Sequence, residues 1–117
     1  MRNWSKSLRL MLRRRSESQI QAAIVRALSQ LGFLVIHVPN QATRGRQRYS
    51  GLMPGAPDLI VIGKGRVWFL EVKKPGGKQS QAQIIVQRLI EERGFGYYVV
   101  HSVDEALNVV GYGSQKG

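Results

Sequence analysis

The chain has no cysteine, which excludes disulfide cross-links and thiolate metal sites. Acidic side chains are scarce: seven Asp and Glu stand against eighteen Lys and Arg, a formal net charge of +11. No apolar run approaches the roughly 20 residues a membrane-spanning helix needs, so no membrane partner is expected. Near the start, the apolar stretch of Leu8, Leu10, Met11 and Leu12 is short and broken by Arg9. It does not read as a signal peptide, and a cytoplasmic location is expected. The positive excess favours a polyanionic partner, with nucleic acid ahead of an anionic membrane surface. Charge alone does not separate an enzyme acting on nucleic acid from a module that only binds it.

What is present fits one domain, since 117 residues with 43% hydrophobic content lie near the usual domain size. Residues 1–15 carry Arg2, Lys6, Arg9, Arg13, Arg14 and Arg15 without an acid, and read as a basic arm. Ile20, Ala23, Ile24, Ala27, Leu28 and Leu31 recur at helical spacing and predict a helix over about Glu17–Leu31. Ser16 with Gln19, and Ser18 with Gln21, both fit a capping box at its start. Phe33–Val38 reads as a strand ended by Pro39, followed by a polar loop, 40–56, with Arg44, Arg46 and Arg48 alternating. A hairpin follows, Asp58–Gly63 and Arg66–Lys73, turning at Lys64-Gly65. A second helix is expected from about Ser80 to Arg93, with Ile84, Ile85, Leu89 and Val86 turned inward. A last strand, Tyr97–His101, leads to a short helix to about Val110, opened by Ser102 with Glu105 as a capping box. The tail beyond is expected to fray. The order gives an α/β fold with a mixed central sheet: a meander, then a strand reached through a helical crossover.

Only three acids fall in the first 90 residues: Glu17, Asp58 and Glu71. Two of them sit at the ends of apolar runs, Leu59-Ile60-Val61-Ile62 and Val67-Trp68-Phe69-Leu70, where an unpaired charge is costly. Side chains alternate along a strand, so Glu71 and Lys73 share one face with Val67 and Phe69. A two-residue turn pairs Gly63 with Arg66 and, counting outward, Asp58 with Glu71. A three-residue turn would instead set Asp58 opposite Leu70, on the wrong face. The first register is expected. Two facing carboxylates repel unless a cation lies between them, and hard oxygen ligands select Mg²⁺ or Mn²⁺. Nearby basic side chains could also offset the repulsion. Glu17, at the helix start, fits either a capping charge favoured by the helix dipole or a third carboxylate reaching the sheet. Arg44, Arg46 and Arg48 are spaced for phosphates, and Lys74 and Lys78 fit phosphate contacts. His37 and His101 end strands without metal-ligand spacing and read as structural.

At Gly55-Ala56-Pro57-Asp58 and Glu71-Val72-Lys73-Lys74 the chain resembles the PD-(D/E)XK nuclease superfamily, and within it the virus-type replication-repair nuclease (VRR-NUC) family in its stand-alone, phage-like form. Glu17 with Gln21, and Ser80-x-x-Gln83, extend the likeness to five elements in order. It spans roughly residues 16–102, within a domain set at 16–111 between the basic arm and a flexible tail, 112–117. The resemblance implies a restriction-endonuclease-like core, α-β-β-β-α-β. It also implies a metal-dependent endonuclease acting on DNA, similar to Holliday-junction resolvases that work as homodimers on branched substrates. Asp58, Glu71 and the backbone carbonyl of Val72 would hold Mg²⁺ or Mn²⁺, with Glu17 completing the set directly or through water. Lys73 would orient or deprotonate the attacking water or stabilise phosphate charge, and Gln83 would position water or the scissile phosphate. The family pattern assigns nothing to the arm, where Arg13, Arg14 and Arg15 are candidate nucleic-acid contacts by charge. The alternatives are a non-catalytic nucleic-acid-binding module, or a nuclease of flap, nicked or linear DNA.

Overall fold

The computed structural model describes residues 16–39 and 53–112. The basic arm with Arg13, Arg14 and Arg15, and the arginines at 44, 46 and 48, lie outside the described residues. Helix α1 spans Glu17–Gln30. Its capping box is the one at Ser16 and Gln19: Ser16 Oγ accepts from the Gln19 backbone N–H, and Gln19 Oε1 accepts from that of Ser16. Leu31 and Gly32 close the helix. Gly32 takes φ 97°, which lets Phe33 N–H turn back onto the Leu28 carbonyl.

Four strands follow the expected order: β1 (Leu34–His37), β2 (Leu59–Gly63), β3 (Arg66–Val72) and, after helix α2 (Gln81–Glu92), β4 (Gly96–Val100). They form one sheet in the order β1-β2-β3-β4, antiparallel except for the parallel pair β3–β4. This is the mixed meander-plus-crossover expected from the sequence. Helix α3 (Val103–Val109) ends the described chain. Glu105 completes only half of the expected capping box. Ser102 Oγ accepts from its N–H, but its carboxylate turns to the backbone and ring of His101, whose hydrogen bond holds it below the usual carboxylate range. Gly111 and Tyr112, assigned by sequence to the fraying end, are held. Tyr112 N–H bonds Leu107 and its ring packs edge-on against Phe33.

The core lies on one face of the sheet. Ile20, Ile24 and Leu28 of α1, with Ala106 of α3 and Val110 beyond it, pack on Leu59, Val61, Trp68, Leu70, Val72 and Val100. The alternation of β3 turns Val67, Phe69 and Glu71 to the opposite face. Helix α2 covers only the β4 side of that face. Its inward residue is Val86, with Ala82, Gln83, Gln87 and Ile90 half-buried. The expected inward residues Ile84, Ile85 and Leu89 are instead exposed. Hydrophobic periodicity points to the wrong side of this helix because the side that meets the sheet is partly polar.

Candidate active site

Gly63 pairs with Arg66 across the two-residue turn Lys64-Gly65, and Leu59 pairs with Leu70. One step outward, Asp58 stands across from Glu71, the register expected from the turn. Asp58 is tied to both neighbouring strands: its N–H donates to the Leu70 carbonyl at 2.9 Å, and its carbonyl accepts from Val38 N–H at 2.8 Å. Its Oδ2 accepts from the Val72 N–H at 2.7 Å. The carboxylate is therefore held beside the last residue of β3.

The preceding loop is fixed against α2. Gly55 has φ +87°, and a Cβ there would lie 2.3 Å from the Ala82 carbonyl oxygen and 3.0 Å from Gln83 N. Only glycine allows this approach. The same contact locks the Asp58 loop to the first turn of the helix that carries Gln83.

Glu71 is 2% exposed, the one buried charged residue among the described residues. Its Oε2 accepts from Gln83 Nε2 and lies 3.9 Å from Lys73 Nζ; its Oε1 accepts from the Tyr97 hydroxyl at 3.2 Å. Burial, then the charge of Asp58, pushes the Glu71 carboxyl up to about 8; Lys73 and the Tyr97 hydrogen bond pull the other way. Burial and the Glu71 charge likewise raise the Tyr97 phenol, which stays a protonated donor. Gln83 serves twice, since its Oε1 also accepts from Ser80 N–H at 2.8 Å in the capping box of α2.

The structure thus brings Asp58, Glu71, Lys73 and Gln83 together with the backbone of Val72. Glu17 is exposed at the first position of α1, the helix on the opposite face, and its charge raises the Glu71 carboxyl less than burial or Asp58 does. Among the described residues no three Asp, Glu, His or Cys side chains cluster to hold a metal, so Glu17 is not gathered beside the other two acids. Gln21 bonds His37 instead, in an open groove with Ser18, Ala22, Val25 and Arg26. Lys74 and Lys78 are exposed beside the site, between β3 and α2. Tyr97 escaped the sequence reading. The parallel register sets it beside Phe69, on the face of Glu71, and that strand parity was the available signal.

The donor set suits a hard divalent cation. Two carboxylates and a backbone carbonyl offer oxygen only, and burial with the Asp58 charge holds the Glu71 carboxyl above its usual range, so that it keeps a proton a bound cation would displace.

Comparison with known proteins bears on the family and the fold. The model of the VRR-NUC domain family matches residues 3–104. A solved structure titled "VRR_NUC domain" superposes with a TM-score of 0.60 at 28% identity, over 80% of this chain and 92% of that one. A second, titled "VRR_NUC domain protein", gives a TM-score of 0.58 at 21% identity, over 84% and 87%, and speaks to the fold alone. A search of curated proteins finds no match.

Proposed function

Because the chain belongs to the VRR-NUC family of nuclease domains, we propose that it is a divalent-metal-dependent, structure-selective DNA endonuclease, similar to Holliday-junction resolvases and active as a homodimer. The observation that carries the reading is the buried Glu71 carboxylate across from Asp58, with Lys73 Nζ 3.9 Å from Glu71 Oε2. Asp58, Glu71 and the Val72 carbonyl would hold Mg²⁺ or Mn²⁺, which supplies Lewis-acid polarisation of the phosphate and a lowered pKa for water. Lys73, half-buried beside Glu71, orients the attacking water or takes the charge that develops on the phosphate. Gln83 holds Glu71 in place and offers its amide to water or phosphate. Hydrolysis forms a bond from water oxygen to phosphorus and breaks the bond to the 3′ oxygen, leaving a 5′-phosphate. Lys74 and Lys78, with Arg13, Arg14, Arg15, Arg44, Arg46 and Arg48 elsewhere in the sequence, supply backbone contacts and carry no base-reading role.

A homodimer is supported by the half of the sheet that no described residue covers. Leu34, Ile62 and Val67 form one cross-strand row; Ile36, Ile60 and Phe69 form the next, extended by Phe95 against Phe69. Leu34 is 58% exposed, and neither row contains a charge. A second copy would bury these rows, and its two-fold axis supplies the two sites that paired cuts in a symmetric junction require. A cytoplasmic location fits the substrate, and no helix among the described residues is long and apolar enough to cross a membrane.

The test is a cleavage panel of Holliday-junction, flap, splayed and linear duplex DNA with Mg²⁺ or Mn²⁺, beside Glu71→Gln. Preferential cutting of the junction, abolished in the variant, is expected. Equal cutting of linear duplex refutes the resolvase reading and keeps the nuclease. Salt-sensitive DNA binding with no cleavage in any metal identifies a binding module instead.

A further inference from the structure

The two oxygens of Glu71 are not equivalent. Oε2 faces Lys73 and Gln83, the side where the reaction would take place. Oε1 faces inward to the hydroxyl of Tyr97, a side chain only 3% exposed. We propose that Tyr97 is a positioning residue that anchors Glu71 through Oε1, so that Oε2 alone is presented to a divalent cation. This inference rests on the metal-dependent reading above.

The anchor is itself held. Gln79 makes a side-chain hydrogen bond to Tyr97, and its Nε2 also donates to Gln87 Oε1 at 3.0 Å. Gln87 in turn donates to Glu91 Oε2 at 2.9 Å. The first turn of α2 and the residue before its Ser80 cap therefore grip Glu71 by two routes. Gln83 reaches Oε2 directly, and Gln79 reaches Oε1 through Tyr97. The polar residues turned inward on α2 belong to this arrangement, which is why its inward face is not an apolar stripe. The strand register provides the geometry: Tyr97 pairs with Phe69, two residues before Glu71, so both side chains leave the sheet on the same face. A carboxylate fixed at one oxygen loses little rotamer freedom on binding a cation. Freed from that bond, it would have to be ordered at the moment of binding.

Phenylalanine fills the same space without the hydroxyl, so Tyr97→Phe separates positioning from packing. The experiment is a calorimetric titration of Mn²⁺ into the wild-type chain, Tyr97→Phe and Glu71→Gln, without DNA, with thermal melts in EDTA. Tyr97→Phe is expected to bind Mn²⁺ about 10–100-fold more weakly while still melting in one cooperative transition. If its melt shows a damaged fold, Gln79→Leu, which keeps the phenol and removes its anchor, must weaken Mn²⁺ binding in the same direction. Unchanged affinity in the variant that folds overturns the inference. Wild-type binding lost in Glu71→Gln but kept in Tyr97→Phe overturns only this inference. No binding by the wild type overturns it together with the metal-dependent reading.

Discussion

Replacing Glu71 by Gln should stabilise the metal-free protein at alkaline pH. Burial and Asp58 hold the Glu71 carboxyl at about 8, against 4.5 when unperturbed. Between those two values the unfolded chain has released a proton that the folded chain still binds, so wild-type stability falls as pH rises through that window. At about 1.4 kcal/mol per pH unit, the full interval corresponds to a ceiling of roughly 5 kcal/mol. Sharing of the proton with Asp58 and the nearby Lys73 ammonium bring the observed figure below it. Glutamine keeps the shape and an acceptor for Tyr97 but does not ionise. The assay is urea denaturation of both proteins in EDTA at pH 5 and pH 8.5. The advantage of Glu71→Gln over wild type should grow by a few kcal/mol from the lower pH to the higher. Adding Mn²⁺ at 100 times its Kd should return about 2.7 kcal/mol to the wild type and nothing to the variant. A difference between the two proteins that does not change with pH would refute the reasoning, because it would show that Glu71 carries no strained charge.

Mn²⁺ binding should release a proton below pH 8, with apparent affinity falling up to tenfold per pH unit; calorimetry in buffers of different ionisation enthalpy counts the proton. Gly55→Ala should cost about 2–5 kcal/mol by denaturant melts, since its Cβ meets the Ala82 carbonyl and its φ is positive, and cleavage should fall with the displaced Asp58 loop. Glu17→Gln should weaken Mn²⁺ binding far less than Glu71→Gln in parallel titrations, because Glu17 is exposed and stands apart from the carboxylate pair.

The part of the site written in local rules was legible in the sequence. A two-residue turn with Gly65 at φ +70° fixes the hairpin register, and strand alternation then puts Asp58, Glu71 and Lys73 on one face. Element order followed from periodicity and from Gly and Pro breaks, and each strand boundary moved by only a residue or so. What was not legible depends on what an element packs against. The inward face of α2 carries Gln83 and Gln87, because a buried carboxylate and its partners lie beneath it. Hydrophobic periodicity therefore selected Ile84, Ile85 and Leu89, which are exposed. Tyr97 looks like ordinary core in an apolar strand until the parallel pairing with β3 is known. Gly55 reads as part of a motif, and only the contact with Ala82 shows that its lack of a side chain is what docks the loop.

In the function proposed above, Asp58 and Glu71 together form a cation-dependent centre for phosphodiester hydrolysis. Its most direct test is the rate of strand cleavage in a branched DNA substrate with Mn²⁺, measured for wild type, Asp58→Asn and Glu71→Gln after each variant is shown to fold. Cleavage by the wild type should be abolished by EDTA, and either variant should lose about 100-fold or more, the scale expected when a group acting at the reacting phosphate is removed. Cleavage that persists in both folded variants, or that is indifferent to EDTA, would contradict it.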